Sequence, residues 1–177
     1  LGLGRGHYTV SIDGDELREY VQWDGQQPIY RNEGVVGLFG GLSYADVIPA
    51  LSATAEEEGF TLLFSGYAGE AEPDGDKTLY TSSGESLSIS ADEFSLEMKN
   101  LSMDMSYDGD MVAAFKGDLF ESTGKARIES IEISNIEPGA TVKIENLAFA
   151  TDVKIDEDNS TANVYVEYAV DKAVGPE

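Results

Sequence analysis

From Phe60 to Val170 apolar residues recur at every second position through one short segment after another, and this period of two constrains the fold more than any other feature. Phe94, Leu96 and Met98 form one such set, and Leu101, Met103, Met105 and Tyr107 the next. Leu147, Phe149, Thr151, Val153 and Ile155 form another, and Val164, Val166, Tyr168 and Val170 the last. Successive side chains of a strand point to opposite faces, so each set shares one side of a sheet while the intervening acidic and hydroxylic residues take the other. That is the pattern of antiparallel strands with one wet face. Strands are expected over Phe60–Tyr67, Thr78–Thr81, Glu85–Ala91, Glu93–Lys99, Leu101–Tyr107, Met111–Leu119, Ala126–Ser134, Thr141–Ile144, Leu147–Ile155 and Ala162–Val170. Gly, Asp, Asn and Pro stand at their boundaries, where turns require them.

The N-terminal third is less uniform. Tyr8, Val10 and Ile12 alternate ahead of an acidic turn, Asp13-Gly14-Asp15-Glu16, which reads as a strand and its turn. Leu17–Trp23 suits a partner strand or a short helix, and Pro28–Phe39 suits a second strand interrupted at Asn32 and Gly34. Ser43–Glu58 carries the best helical signature, Ala-rich and followed by Gly59 in a C-cap position. Pro49 is barred from a helix interior, so the helix is expected to open near Pro49 and run to Glu58, with Ser43–Ile48 as its lead-in. Glu56, Glu57 and Glu58 oppose its dipole, so packing has to hold it. The expected fold is mostly β, a large twisted antiparallel sheet in meander order with one short helix packed at one end.

The 177 residues suffice for one hydrophobic core, and with 41% hydrophobic and 25% charged residues the chain reads as a single β-rich domain, residues 1–177. Leu1–Gly6 (LGLGRG) has G-x-G-x-G spacing with no preceding strand and no following Lys-Ser/Thr pair, so it reads as a flexible leader and not a phosphate loop. The longest apolar stretch, Gly34–Leu42, is well short of the roughly 20 residues that cross a bilayer as a helix. Acidic residues number 34 against 11 basic ones, a formal net charge of -23. Such a surface repels phosphate backbones and anionic headgroups, which excludes nucleic acid as a partner.

Chemistry is sparse. Without cysteine there is neither a thiol nucleophile nor a thiolate metal site, and His7 is the one histidine. No G-x-S-x-G elbow accompanies it, so no catalytic residue is assigned and the domain is expected not to be an enzyme. Trp23 with Tyr20 and Tyr30 offers a sugar-stacking platform, although a lone Trp is more often a core or edge residue. The acidic turns supply the hard oxygen ligands that Ca²⁺ takes: Asp13 with Asp15, Asp74 with Asp76, Asp108 with Asp110, and Asp156 with Asp158. None completes an EF-hand loop, and Asp-Gly is a favoured hairpin turn without any metal. Asn also precedes an aliphatic residue at three junctions, Asn100-Leu101, Asn135-Ile136 and Asn146-Leu147. Ordinary turn chemistry accounts for this echo, since Asn tolerates the left-handed region, and a degenerate β repeat is the alternative.

The order of features resembles the YdgA-like proteins, an uncharacterised family of Gram-negative envelope proteins. The likeness lies in Arg5-Gly6-His7-Tyr8, Pro49-Ala50-Leu51, Gly66-Tyr67-Ala68-Gly69 and the train of strands with Asn-Leu junctions over Phe60–Val170. It implies a fragment of a longer envelope protein, facing the periplasm and tethered by a membrane segment outside this chain. The expected function is a non-enzymatic binding or scaffolding module for an apolar ligand or an envelope protein, with Phe94, Leu96, Met98, Leu101, Met103, Met105 and Tyr107 as the ligand face. Four methionines support that choice, since thioethers repack around varied partners. The alternative is a carbohydrate-binding or adhesive β domain stabilised by Ca²⁺.

Overall fold

In the computed structural model of the chain the alternating segments from Phe60 on are strands, except Met111–Leu119, which lies outside the described residues. The structure describes residues 5–16, 22–37, 41–55, 59–108, 120–135, 140–156 and 161–175. Five short strands come first, β1 (Gly6–Ile12), β2 (Gln22–Gly25), β3 (Tyr30–Val36), β4 (Leu42–Ile48) and β5 (Leu51–Ala55). They are followed by β6 (Phe60–Phe64), β7 (Tyr67–Asp74), β8 (Lys77–Ala91), β9 (Phe94–Asp108), β10 (Ser122–Asn135), β11 (Thr141–Asp156) and β12 (Thr161–Val174). All pair antiparallel in one sheet. Among the described residues no helix is long and apolar enough to cross a membrane.

The topology reduces to a simple meander. Ile48 opposes Tyr67 and Leu51 opposes Phe64 at an unchanged offset, so β4 with β5, and β6 with β7, are single strand passes broken at Pro49-Ala50 and Ser65-Gly66. The pass made by β2 and β3 is broken at residues 26–29, which include the cis Gln27-Pro28 bond. Each pass pairs with its neighbours in sequence, which suits hairpin connections.

The expected helix is absent. Leu51–Ala55 is strand β5, paired on both sides with β2 and β6, and Ser43–Ile48 lies in β4. The reason is legible afterwards: Leu51, Ala53 and Ala55 alternate with Ser52 and Thr54, and two flanking strands supply ladder bonds that outweigh the modest helix preference of Ala. Residues 56–58 lie outside the described residues. Gly6, read as leader, is the first residue of β1 and opposes Val36.

The chain bends along one line across the sheet. In every pairing of β8 to β12 the ladder skips the same row: Gly84 opposes Leu101 and Ser86 opposes Lys99, while Glu85 and Asn100 between them are unpaired in the register. The row continues through Glu129, Asn146 and Asp171, and on the other side meets the breaks at Ser65-Gly66 and Pro49-Ala50. Asn100 and Asn146 have φ of 51° and 53°, in the left-handed region. Gly66 has φ of 105°, and a Cβ there would meet the Ile48 carbonyl oxygen at 3.1 Å. A left-handed residue turns the chain where an extended one would carry it forward, so strict alternation stops at it. The apolar positions change parity there in each long strand: Met98 to Leu101 in β9, Ile128 to Ile131 in β10, Ile144 to Leu147 in β11. Polar residues from both sides of the row, Ser102 and Arg127 with Ser130 and Glu145, line a single cleft, so the wet face runs unbroken across the bend.

A single sheet has few places to hide apolar atoms. Among the described residues Leu42, Ala53, Ala71 and Tyr80 are the buried hydrophobic ones. A compact monomer of 19.1 kDa exposes about 8,400 Å² by the usual scaling of surface with mass, and this chain exposes 11,917 Å². No second layer covers the sheet among the described residues.

Candidate functional site

All seven residues of the sequence-derived ligand face fall on β9, which Asn100 divides. Leu96 and Met98 sit in rows with Ile89 and Leu87 on β8 and with Ile133 and Ile131 on β10. Beyond the bend Leu101 opposes Ile128, Met103 lies between Ser82 and Ala126, Met105 between Tyr80 and Gly124, and Tyr107 between Thr78 and Ser122. Phe94 is exposed and the other six are half-buried. Reading Asn100 as the junction of two strands is therefore corrected: the expected Glu93–Lys99, from Phe94 on, and Leu101–Tyr107 belong to one continuous strand, as do Thr141–Ile144 and Leu147–Ile155 around Asn146. Asn100 and Asn146 do adopt the left-handed conformation expected of them, inside long strands and not at hairpins.

The methionine row ends against a tyrosine cluster that sequence reasoning missed. Tyr44 and Tyr80 stack with ring centroids 5.8 Å apart. The Tyr80 hydroxyl donates to both carboxylate oxygens of buried Asp46, at 3.2 and 3.3 Å, and shares a hydrogen bond with the Tyr67 hydroxyl. Gly69 makes this possible, because a Cβ there would lie 2.3 Å from both Asp46 Oδ1 and the Tyr80 hydroxyl. Tyr8 lies over Gly34 in the same way. Tyr107 donates its hydroxyl to Met105 Sδ at 3.2 Å and meets Phe120 edge to face at 5.5 Å. Burial raises the pKa of Tyr44 and Tyr80 far above the ordinary phenol value, helped for Tyr44 by Tyr107 and Asp46 and for Tyr80 by its bond to Tyr67. Burial also raises Tyr8 and Tyr107. These phenols stay neutral, and Tyr80 is held in place by its bonds to Asp46 and Tyr67. Its only sequence signal is the pairing of large residues (Tyr44, Tyr80) with small ones (Gly69, Ala71) across strands, which appears only once the register is fixed.

The bend carries a cleft of about 1100 Å³. Glu129 accepts a hydrogen bond from the Asn100 amide, and Arg127 donates to Asn146 Oδ1 at 2.7 Å. Glu145, on the cleft wall, is paired with Lys172 at 3.4 Å. Ser65 Oγ accepts from the Ser86 backbone N–H at 2.7 Å, bridging the break between β6 and β7.

The acidic turns are dispersed. Asp74 and Asp76 flank Gly75 in the β7–β8 hairpin, and Asp108 is ion-paired with Lys77 at 2.9 Å, which holds the Lys77 ammonium above its ordinary pKa. Asp13 and Asp15 follow β1, and Asp156 ends β11; Asp110 and Asp158 lie outside the described residues. No three His, Asp or Glu among the described residues converge as a metal-holding group. His7 is exposed on β1, opposite Val35. Trp23 opposes Ala53 on β5 and Tyr30 opposes Ile12 on β1, two separate places, and Tyr20 lies outside the described residues.

No curated protein and no solved structure shows significant similarity to this chain. The profile of one bacterial family matches residues 2–174, nearly the whole length. The chain accordingly belongs to the family described as "Bacterial protein of unknown function (DUF945)".

Proposed function

We propose that the domain is a non-enzymatic binding module of the bacterial envelope that holds an apolar ligand against the open face of its sheet. The supporting observation is that no second layer covers the sheet among the described residues: the chain exposes about 3,500 Å² more than a compact monomer of its mass, and Met98, Met103 and Met105 are only half-buried. Contiguous exposed apolar surface marks binding sites on soluble proteins. Thioethers suit that use because they repack at low cost. The YdgA-like resemblance is the ground for putting the module in the Gram-negative periplasm, tethered by a membrane segment outside this chain.

The test is uptake of a fluorescent fatty acid by the purified domain. Uptake that Met103→Asp abolishes, with the far-UV circular dichroism intact, is the expected result. If the wild type takes up no probe and Met103→Asp unfolds, the methionines are core residues and the ligand reading fails. A second reading, an envelope-protein partner, is favoured by β12, a 14-residue strand whose outer edge pairs with no other strand among the described residues, an edge of the kind that receives a partner's strand.

A further inference from the structure

We propose that the cleft along the bend binds a neutral, linear oligosaccharide lying across the strands. The bend runs perpendicular to the chain direction, so its length is set by strand spacing: five steps from the Pro49-Ala50 break to Asn146 on β11 span roughly 24 Å. A β-linked glycan advances by about one strand spacing, on the order of 5 Å, per sugar. The β4–β5 pass closes one end with Val47, Ile48 and Pro49, and each of the five passes after it presents polar groups at that interval: Ser65, then Glu85, then Asn100, then Arg127 with Glu129, then Asn146. Amides, carboxylates and a guanidinium are the planar groups that pair with adjacent sugar hydroxyls, each accepting or donating at two positions.

Charge selects against anionic ligands. The cleft wall carries Glu85, Glu129 and Glu145 with Arg127, and Lys172 engages Glu145, on a chain of formal charge -23. Glu85 and Glu129 therefore repel an acidic glycan. Leu101, at the end of the methionine row, is the one residue that this cleft shares with the ligand face.

Isothermal titration of the whole domain with cello-oligosaccharides and N-acetylglucosamine oligomers of rising length tests the proposal, with oligogalacturonate as the anionic control. Saturable binding should strengthen with length until the chain fills the cleft, and oligogalacturonate should bind far more weakly. Asn146→Gly keeps the left-handed backbone and removes the amide, and Arg127→Met keeps the stem and removes the charge. Each should weaken binding about tenfold, as the loss of one or two hydrogen bonds does, with the melting temperature unchanged. Absence of binding by both neutral series, equal binding of oligogalacturonate, or affinity indifferent to both substitutions would overturn it.

Discussion

The centre of the sheet around Tyr80 and its edge at β12 are built from opposite materials. The centre is acidic and small-residued: Asp46, Gly69, Ala71, Thr78 and Ser82 surround Tyr80, and all are buried. Strand β12 is the more hydrophobic, with Val164, Tyr165, Val166 and Tyr168 along it, yet Tyr168 is 75% exposed and every residue of the strand is exposed. Burial in a one-layer sheet therefore follows neighbours, not hydropathy. A strand flanked on both sides and overlain by a stacked ring is buried whatever its composition, and a strand at the rim is exposed however apolar it is.

The contrast breaks most readily at the centre. Tyr80→Ala removes a buried ring that stacks on Tyr44 and satisfies Asp46, and the expected loss is about 3–5 kcal/mol, the range for truncating a buried aromatic. Chemical denaturation of the variant measures it. A loss below about 1 kcal/mol would mean that the Tyr80 cluster does not hold the sheet together.

Alkali should attack the same place. The folded pKa values of Tyr44 and Tyr80 lie above the ordinary value of 10.0, chiefly through burial, so the native state keeps protons that the unfolded chain releases. Stability that is fully present below pH 10 is therefore lost as pH climbs above it, because the unfolded state binds fewer protons. Melting temperature against pH, followed together with tyrosinate absorbance, should show a group of tyrosines that ionise only on unfolding. Smooth ionisation of all nine below the unfolding transition would contradict the buried network.

At the bend the effect is smaller and depends on backbone. Asn100→Ala places an ordinary L residue in the left-handed region at a cost of about 1–2 kcal/mol, whereas Asn100→Gly avoids that cost. Equal stabilities would show that φ at this position relaxes freely. Comparing both variants by denaturant midpoint at fixed slope separates the backbone from the amide's bond to Glu129.

These positions also show which parts of the structure were readable in advance. Period-two alternation was enough for the sheet, its antiparallel meander and the sharing of faces within β9, β11 and β12, because each is a local property of one strand. Asn100 and Asn146 were legible as left-handed residues, yet their alignment in one transverse row depends on register, which pairs residues tens of positions apart. The same holds for Asp46 and Tyr80, 34 residues apart, whose contact requires Gly69 from a third strand. Leu51–Ala55 was misread as helix because Ala favours a helix locally, while the ladder bonds that decide the matter come from β2 and β6.

The smallest effect is expected at the rim, where the contrast is sharpest. Val166 is 64% exposed and lies on the strand that ends the sheet, so Val166→Lys removes little burial and adds a charge in water. Stability should change by no more than about 0.5 kcal/mol, or about 1–2 °C in melting temperature for a domain of this size. Solution behaviour should change more. An apolar edge strand without proline or inward charge is a template for pairing with another edge, and a central lysine is the usual guard against it. Sedimentation velocity over a concentration series should show any self-association of the wild type reduced in Val166→Lys. A drop of several degrees would place β12 within the cooperative core, and burial would then follow hydropathy even at the rim.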